Sequence, residues 1–147
     1  MAGLKAYKAK LEQVISDFDD IEDEAIYECQ HEYAKANSKQ LFEGIDSNGN
    51  KLKPYAESTI KKKKRTNQIT SKTILNDYPN SEKGNFHNEM FGEHEGGVLK
   101  ISSDTDYTRY LVENYGSDIF GLKNANKRKV SRSKVMPLFT AKLKQRL

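Results

Sequence analysis

One stretch limits the architecture more than any other. Residues 84 to 122 read GNFHNEMF, then GGVLKISSD, then DYTRYLVENYGSDIFGL, and no other part of the chain concentrates large apolar side chains in this way. A chain whose apolar surface is gathered in one place folds around it, because burying that surface is the main favourable term available. Phe86, Met90 and Phe91 stand at i, i+4 and i+5, a spacing that fits a short helix or an irregular strand and leaves both open. Gly96-Gly97 marks a turn into Val98, Leu99 and Ile101, a strand that breaks at Ser102-Ser103-Asp104. Tyr107, Tyr110, Leu111 and Tyr115 then fall on one helical face, with Gly116 as the stop. Phe86, Met90, Phe91, Tyr110, Leu111 and Tyr115 are the expected core.

The remaining elements follow from the same periodicities. Leu4, Tyr7, Leu11, Val14, Phe18 and Ile21 recur at spacings of three and four, so a helix presents one apolar face and continues through Ile26, Cys29, Tyr33 and Ala36. Acidic residues between Asp17 and Glu24 suit the first turn of a second helix, with a bend near positions 17–20. Consecutive helical positions do not converge oxygens on a cation, so this cluster reads as a solvated helix end. Asp46-Ser-Asn-Gly-Asn50 is a hairpin turn; as a calcium loop it would place Lys51 where the sharp bend requires glycine. A short segment at 57–64 leads into Lys61-Lys-Lys-Lys-Arg65. Residues 69–75, ITSKTIL, are rich in β-branched side chains and read as a strand or extended arm, and 76–83 as a loop. The tail from Lys123 has nine Lys/Arg and no acid, and its last part is amphipathic from Val135 to Leu147, with Pro137 near the start.

Charge is distributed unevenly. Residues 1–50 hold 5 Lys/Arg against 11 Asp/Glu, and residues 51–147 hold 20 against 10. With a mean hydropathy of −0.87, the chain reads as a small core with arms, the composition of an assembly component. Cys29 is the only cysteine, which excludes a disulfide within the chain and a cysteine-based zinc site. No apolar run approaches the roughly 20 residues needed to span a bilayer, and the first residues alternate charge with apolar groups, unlike a signal peptide. His31, His87 and His94 stand in no nucleophile–base–orienter pattern, so neither an enzyme nor a cofactor or metal site is expected.

Several elements in order carry a resemblance. A Gly44-Ile-Asp-x-x-Gly49 turn precedes Pro54-Tyr55, Thr59 and the basic run; Gly84-Asn-Phe86 and Met90-Phe91 follow a polar loop. Tyr107-x-x-Tyr110 and Tyr115-Gly116-x-x-Ile119-Phe-Gly121-Leu122 come after the strand. Residues 41 to 122 thereby resemble the virion-morphogenesis family of tailed bacteriophages, the tail-completion and head–tail connector proteins of the neck. Lys83-Gly84 stands where that family has Thr-Gly, and the turn lacks the Trp that often follows it.

The resemblance implies an α+β fold: a long N-terminal helix packed on a small antiparallel β-sheet, with an extended loop arm at about 50–80 and a C-terminal helix in the basic tail of 123–147, all one domain. It implies a structural, non-enzymatic subunit of a closed ring, on the order of six or twelve copies. Its partners would be portal or connector and tail proteins, with non-specific contact to passing double-stranded DNA and no membrane. It would reside in the virion, and in the host cytoplasm during assembly. The residues expected at interfaces are Asp17, Asp20, Glu24, Lys61, Lys62, Lys63, Lys64, Arg65, Lys127, Arg128, Lys129 and Arg132. The acidic segment 17–32 would lie near basic residues of another copy or of a neck partner, and arm and tail would order mainly on assembly. The alternative is a small basic nucleic-acid-binding protein using residues 61–65 and the tail.

Overall fold

A computed structural model describes residues 2–54, 56–65 and 86–147. Three helices follow one another at the N-terminus, α1 (Ala2–Ser16), α2 (Phe18–Glu28) and α3 (Gln30–Phe42). Then come α4 (Glu57–Arg65), the strands β1 (Met90–Glu95) and β2 (Val98–Ser103), and α5 (Thr108–Tyr115). A 3-10 turn at Ser117–Ile119 leads to α6 (Asn124–Val130), a π turn at Ser131–Val135, and α7 (Met136–Arg146). The fold is α+β, helices around one two-stranded antiparallel sheet.

The N-terminal run breaks twice. Asp17 (φ −88°, ψ 3°) interrupts it where a bend was expected, and Cys29 (φ −100°, ψ 6°) interrupts it again without a sequence signal. At Cys29 the backbone N–H is shared between the carbonyls of Ala25 (3.2 Å) and Ile26 (3.0 Å). Such shifts of the hydrogen-bond ladder redirect a helix without ending it.

The hairpin lies against α3. Its register pairs Met90 with Ser103 and Glu95 with Val98, closed by Gly96 (φ 59°) and Gly97 (φ 75°), the left-handed pair that a tight two-residue turn requires. Gly92 sits where a side chain would collide with the Gln30 carbonyl oxygen. Gln30 also accepts the His94 backbone N–H at 3.0 Å through its side-chain oxygen. The outer edge of β1 is thus covered by α3.

Two buried clusters result. Ala25, Cys29, Tyr33, Leu122, Val130 and Val135 form one, flanked by Leu99, Ile101, Leu138 and Phe139. Leu41, Phe86 and Ile119 form the other, flanked by Met90, Tyr107, Leu111 and Tyr115. Residues 86–122 contribute to both. The Phe86 N–H donates to the Tyr107 hydroxyl (3.0 Å), and the Ser103 hydroxyl donates to the Phe86 carbonyl (2.9 Å).

Two expected core residues face solvent instead. Phe91 is 37% exposed and Tyr110 65%. Once residues 90–95 form a strand, side chains alternate, so Met90, Gly92 and His94 share one face and Phe91 takes the other. In α5 the inward positions are Tyr107, Leu111 and Tyr115, four apart, which turns Tyr110 outward.

The C-terminal segment differs from its expectation as well. Helix begins at Asn124, not near Val135, and runs on to Arg146. Pro137 has no N–H for the Ser133 carbonyl four residues earlier, and its ring would crowd that carbonyl; the wider π turn just before it relieves both problems. This helix packs on α2 within the same chain. Of the expected arm, 57–65 is helix α4, and the strand at 69–75 and loop at 76–83 lie outside the described residues.

Phe86→Ala should cost about 3–5 kcal/mol, whereas Phe91→Ala should cost about 1 kcal/mol or less, read from denaturation midpoints. Equal effects would remove Phe86 as the centre of its cluster. Gly92→Ala should also destabilise, by pushing the hairpin off α3.

Candidate interaction surface

The surfaces of this protein are positioned by two buried amides one helical turn apart on α3. Asn37 donates through Nδ2 to the Ile119 carbonyl (3.1 Å) and accepts the Gly121 N–H through Oδ1 (2.8 Å). Gln40 donates through Nε2 to the carbonyls of Asp46 (3.0 Å) and Gly121 (3.1 Å). Its Oε1 accepts the Lys123 N–H (3.0 Å) and Asn126 Nδ2 (2.9 Å). Residues 117–123, which have little secondary structure of their own, are thereby tied to α3, and the start of α6 is fixed in place.

The turn at 44–50 joins the same unit. Asp46 accepts the N–H groups of Asn48 (2.9 Å) and Asn50 (2.8 Å) through Oδ1, so its carboxylate is used by its own turn. Ser47 N–H donates to the Asp118 carbonyl at 2.9 Å. Gly121 (φ 111°) faces the Ser47 side chain closely enough to leave a β-carbon tight.

With α6 so placed, α7 runs along α2. Lys142 Nζ lies 2.7 Å from Glu28 and 3.5 Å from Glu24. Arg146 reaches Glu24 (3.2 Å) and Asp17 (3.5 Å). The hydrogen bond that Lys142 donates to Glu28, opposed by desolvation and reinforced by both carboxylates' charge, raises the Lys142 pKa. Phe18 meets Phe139 edge-on at 5.0 Å between ring centres in the same seam.

The residues expected at interfaces therefore separate into groups. Asp17 and Glu24 are engaged by the chain's own Arg146 and Lys142, partners that the sequence reading did not single out. Asp20 is exposed on α2. Lys61, Lys62, Lys63, Lys64 and Arg65 belong to α4, with Lys61, Lys62 and Arg65 exposed. Lys127, Arg128, Lys129 and Arg132 are exposed on α6 and the π turn. Among the described residues, the structure brings the acidic pair to α7 and to neither basic group. The legible signal for the pairing was the i, i+4 spacing of Lys142 and Arg146 in an acid-free tail.

Two surfaces stand out as uncovered among the described residues. On α1 only Val14 is buried, while Leu4 (68%), Tyr7 (52%) and Ile15 (68%) are exposed. The half of the N-terminal apolar face nearest the start thus has no cover among the described residues. The other is the cationic face of residues 127–134.

Groups suited to catalysis are scattered. The three histidines occupy separate places: His31 beside Glu32 (3.3 Å), His87 beside Ser38 (3.0 Å), His94 beside Asp23 (3.2 Å). Burial, then the charges of Glu32 and Glu28, push the Cys29 thiol pKa up, which keeps it protonated and unreactive. Among the described residues no group of three or more His, Cys, Asp or Glu could hold a metal ion, and no helix is long and apolar enough to cross a membrane. Comparison with protein-family models, with curated proteins and with solved structures finds no match to this chain.

Asn37→Ala should destabilise by about 2–4 kcal/mol, because it leaves a buried N–H and a buried carbonyl unpaired; a midpoint shift below about 1 kcal/mol would contradict this role. The α7 clasp has a defined pH signature. A lysine whose folded pKa is raised contributes stability that is complete below its ordinary value of 10.5 and is lost as pH rises through the higher folded value. NMR titration of Lys142 Nζ should give a pKa above that of an ordinary lysine, and Glu28→Gln should lower it.

Proposed function

We propose that this chain is a structural subunit of a phage neck ring, a tail-completion or head–tail connector protein that joins portal or connector to tail. It works through interfaces and not through chemistry. The observation that carries the reading is the uncovered apolar stripe of α1. Leu4, Tyr7 and Ile15 are mostly exposed on a helix whose single buried residue is Val14. A contiguous apolar stripe left in water marks a protein-interaction surface.

A second feature supports it. Three of the segments that carry the family resemblance, the turn at 44–50, Phe86 and residues 107–120, pack together beside Leu41 of α3. The turn at 44–50 is hydrogen-bonded to residue 118, and Phe86 and Ile119 pack with Leu41. In a ring the contact is head-to-tail, with different surfaces of each copy meeting. The α1 stripe supplies one of them. Charge guides the encounter more than it adds affinity, and exposed Asp19, Asp20 and Glu22 are free of the α7 clasp to do so.

Native mass spectrometry and sedimentation of the purified full chain should show one closed oligomer. A Leu4→Asp/Ile15→Asp double variant should revert to monomer while keeping its helical circular dichroism, since neither side chain is buried. A wild-type chain that stays monomeric at every concentration, alone and with isolated phage connectors, would sink the ring reading.

A further inference from the structure

Five cations on this molecule's helices have a carboxylate partner: Lys8 with Glu12, Lys35 with Glu32, Arg109 with Glu113, and Lys142 and Arg146 with α2. Residues 127–134 gather five cations without one. Lys127, Arg128, Lys129, Arg132 and Lys134 are all exposed, and among the described residues no carboxylate lies within ion-pair distance of any of them. Five like charges within little more than two turns repel one another, a cost that a polyanion would reverse.

The chemistry of the face narrows the partner. Arg128, Lys129 and Arg132 border one shallow depression whose other lining residues are Ala125 and Ser133. Lys129 and Lys134 also reach the groove towards α3, where Lys39 adds a cation and Glu32 and Glu43 are the carboxylates on the far wall. None of the large exposed apolar side chains lies between 124 and 135, and Val130 and Val135 point into the core. A protein partner generally needs an apolar or aromatic centre, and lysine is depleted there. A phosphate backbone needs only cations and small polar groups. The apolar stripe for protein contact and the cationic face are on different helices, α1 and α6.

We propose that this face binds the sugar-phosphate backbone of duplex DNA without reading its sequence. Successive residues lie about 100° apart around a helix, so Lys127, Arg128 and Lys129 fan outward instead of converging on one base edge. That fan suits phosphates on both sides of a groove. From Lys127 to Lys134 the helix rises about 10 Å, a length over which duplex DNA presents roughly six charges. Five cations match that density. The fixed position of α6, held by Gln40 through Lys123 and Asn126, keeps them presented together. This inference is independent of the ring reading: a monomer that binds duplex would keep the one and lose the other.

The test is fluorescence anisotropy of the full chain with a short mixed-sequence DNA duplex, across salt. Neutralising five phosphates should weaken binding about 500-fold between 50 and 200 mM salt, a log–log slope of about −4 to −5. The triple variant Arg128→Gln/Lys129→Gln/Arg132→Gln should reduce that slope by about 3 and leave the thermal transition in place. A matched control, Lys51→Gln/Lys100→Gln/Lys144→Gln, removes the same charge from other exposed positions and should leave the slope nearly unchanged. Equal losses in the two triples would overturn the site, because binding would then follow net charge alone. Absence of duplex binding at low salt would overturn it too. So would carbodiimide crosslinking of Lys129 to Asp19, Asp20 or Glu22 of a second copy that excess duplex fails to suppress, since the face would then be a protein contact.

Discussion

The fold depends on two side-chain amides. Asn37 and Gln40 are almost completely buried, and between them they make two hydrogen bonds and four, to backbone groups and one side chain far along the sequence. Beyond the short 3-10 turn at Ser117–Ile119, residues 117–123 form no helix or strand that would satisfy their backbone groups. A buried N–H or carbonyl without a partner costs more than a typical hydrogen bond returns. The amides of α3 supply those partners, and doing so fixes where the C-terminal helix begins. The hairpin on α3, the turn at 44–50 and the α2–α7 seam all refer back to that helix.

Electrostatics is divided accordingly. The N-terminal acidic segment is not left for neighbours alone. Asp17, Glu24 and Glu28 are on the side of α2 that α7 covers, and Lys142 and Arg146 meet them there. The charge split between the halves of the chain is therefore partly resolved within one copy. What stays unresolved is spatially separate: a cationic face on α6 and the π turn, acidic positions on the far side of α2, and an apolar stripe on α1. One molecule thus offers surfaces of three different chemistries.

The proline in the C-terminal helix shows how a local defect is absorbed. Pro137 removes one backbone donor, and the π turn before it takes up the mismatch while Val130 and Val135 both remain buried. A strictly α-helical ladder could not pass the proline ring without a kink. The helix therefore continues far enough for Lys142 and Arg146 to reach α2.

Much of this was readable from sequence where the determinant is local. The apolar spacing of the N-terminal helices, the Asp46–Asn50 turn, the Gly96-Gly97 turn into the strand at Val98 and the stop at Gly116 depend on neighbours within a few residues, and these appear as expected. The α+β class, which the family resemblance implied, is the one these helices and the hairpin form. Other features depend on contacts between distant parts of the chain. Whether residues 90–95 are helix or strand, and hence which way Phe91 points, was settled by pairing with β2 and packing on α3. Which basic residues meet the acidic segment was settled by where Gln40 anchors α6. Asn37 and Gln40 carry no signal in sequence, because a buried amide looks like any polar helix residue until the loop that it satisfies is folded against it. Periodicity encodes which side of an element is apolar; only the tertiary structure decides what that side, and each charge beside it, will meet.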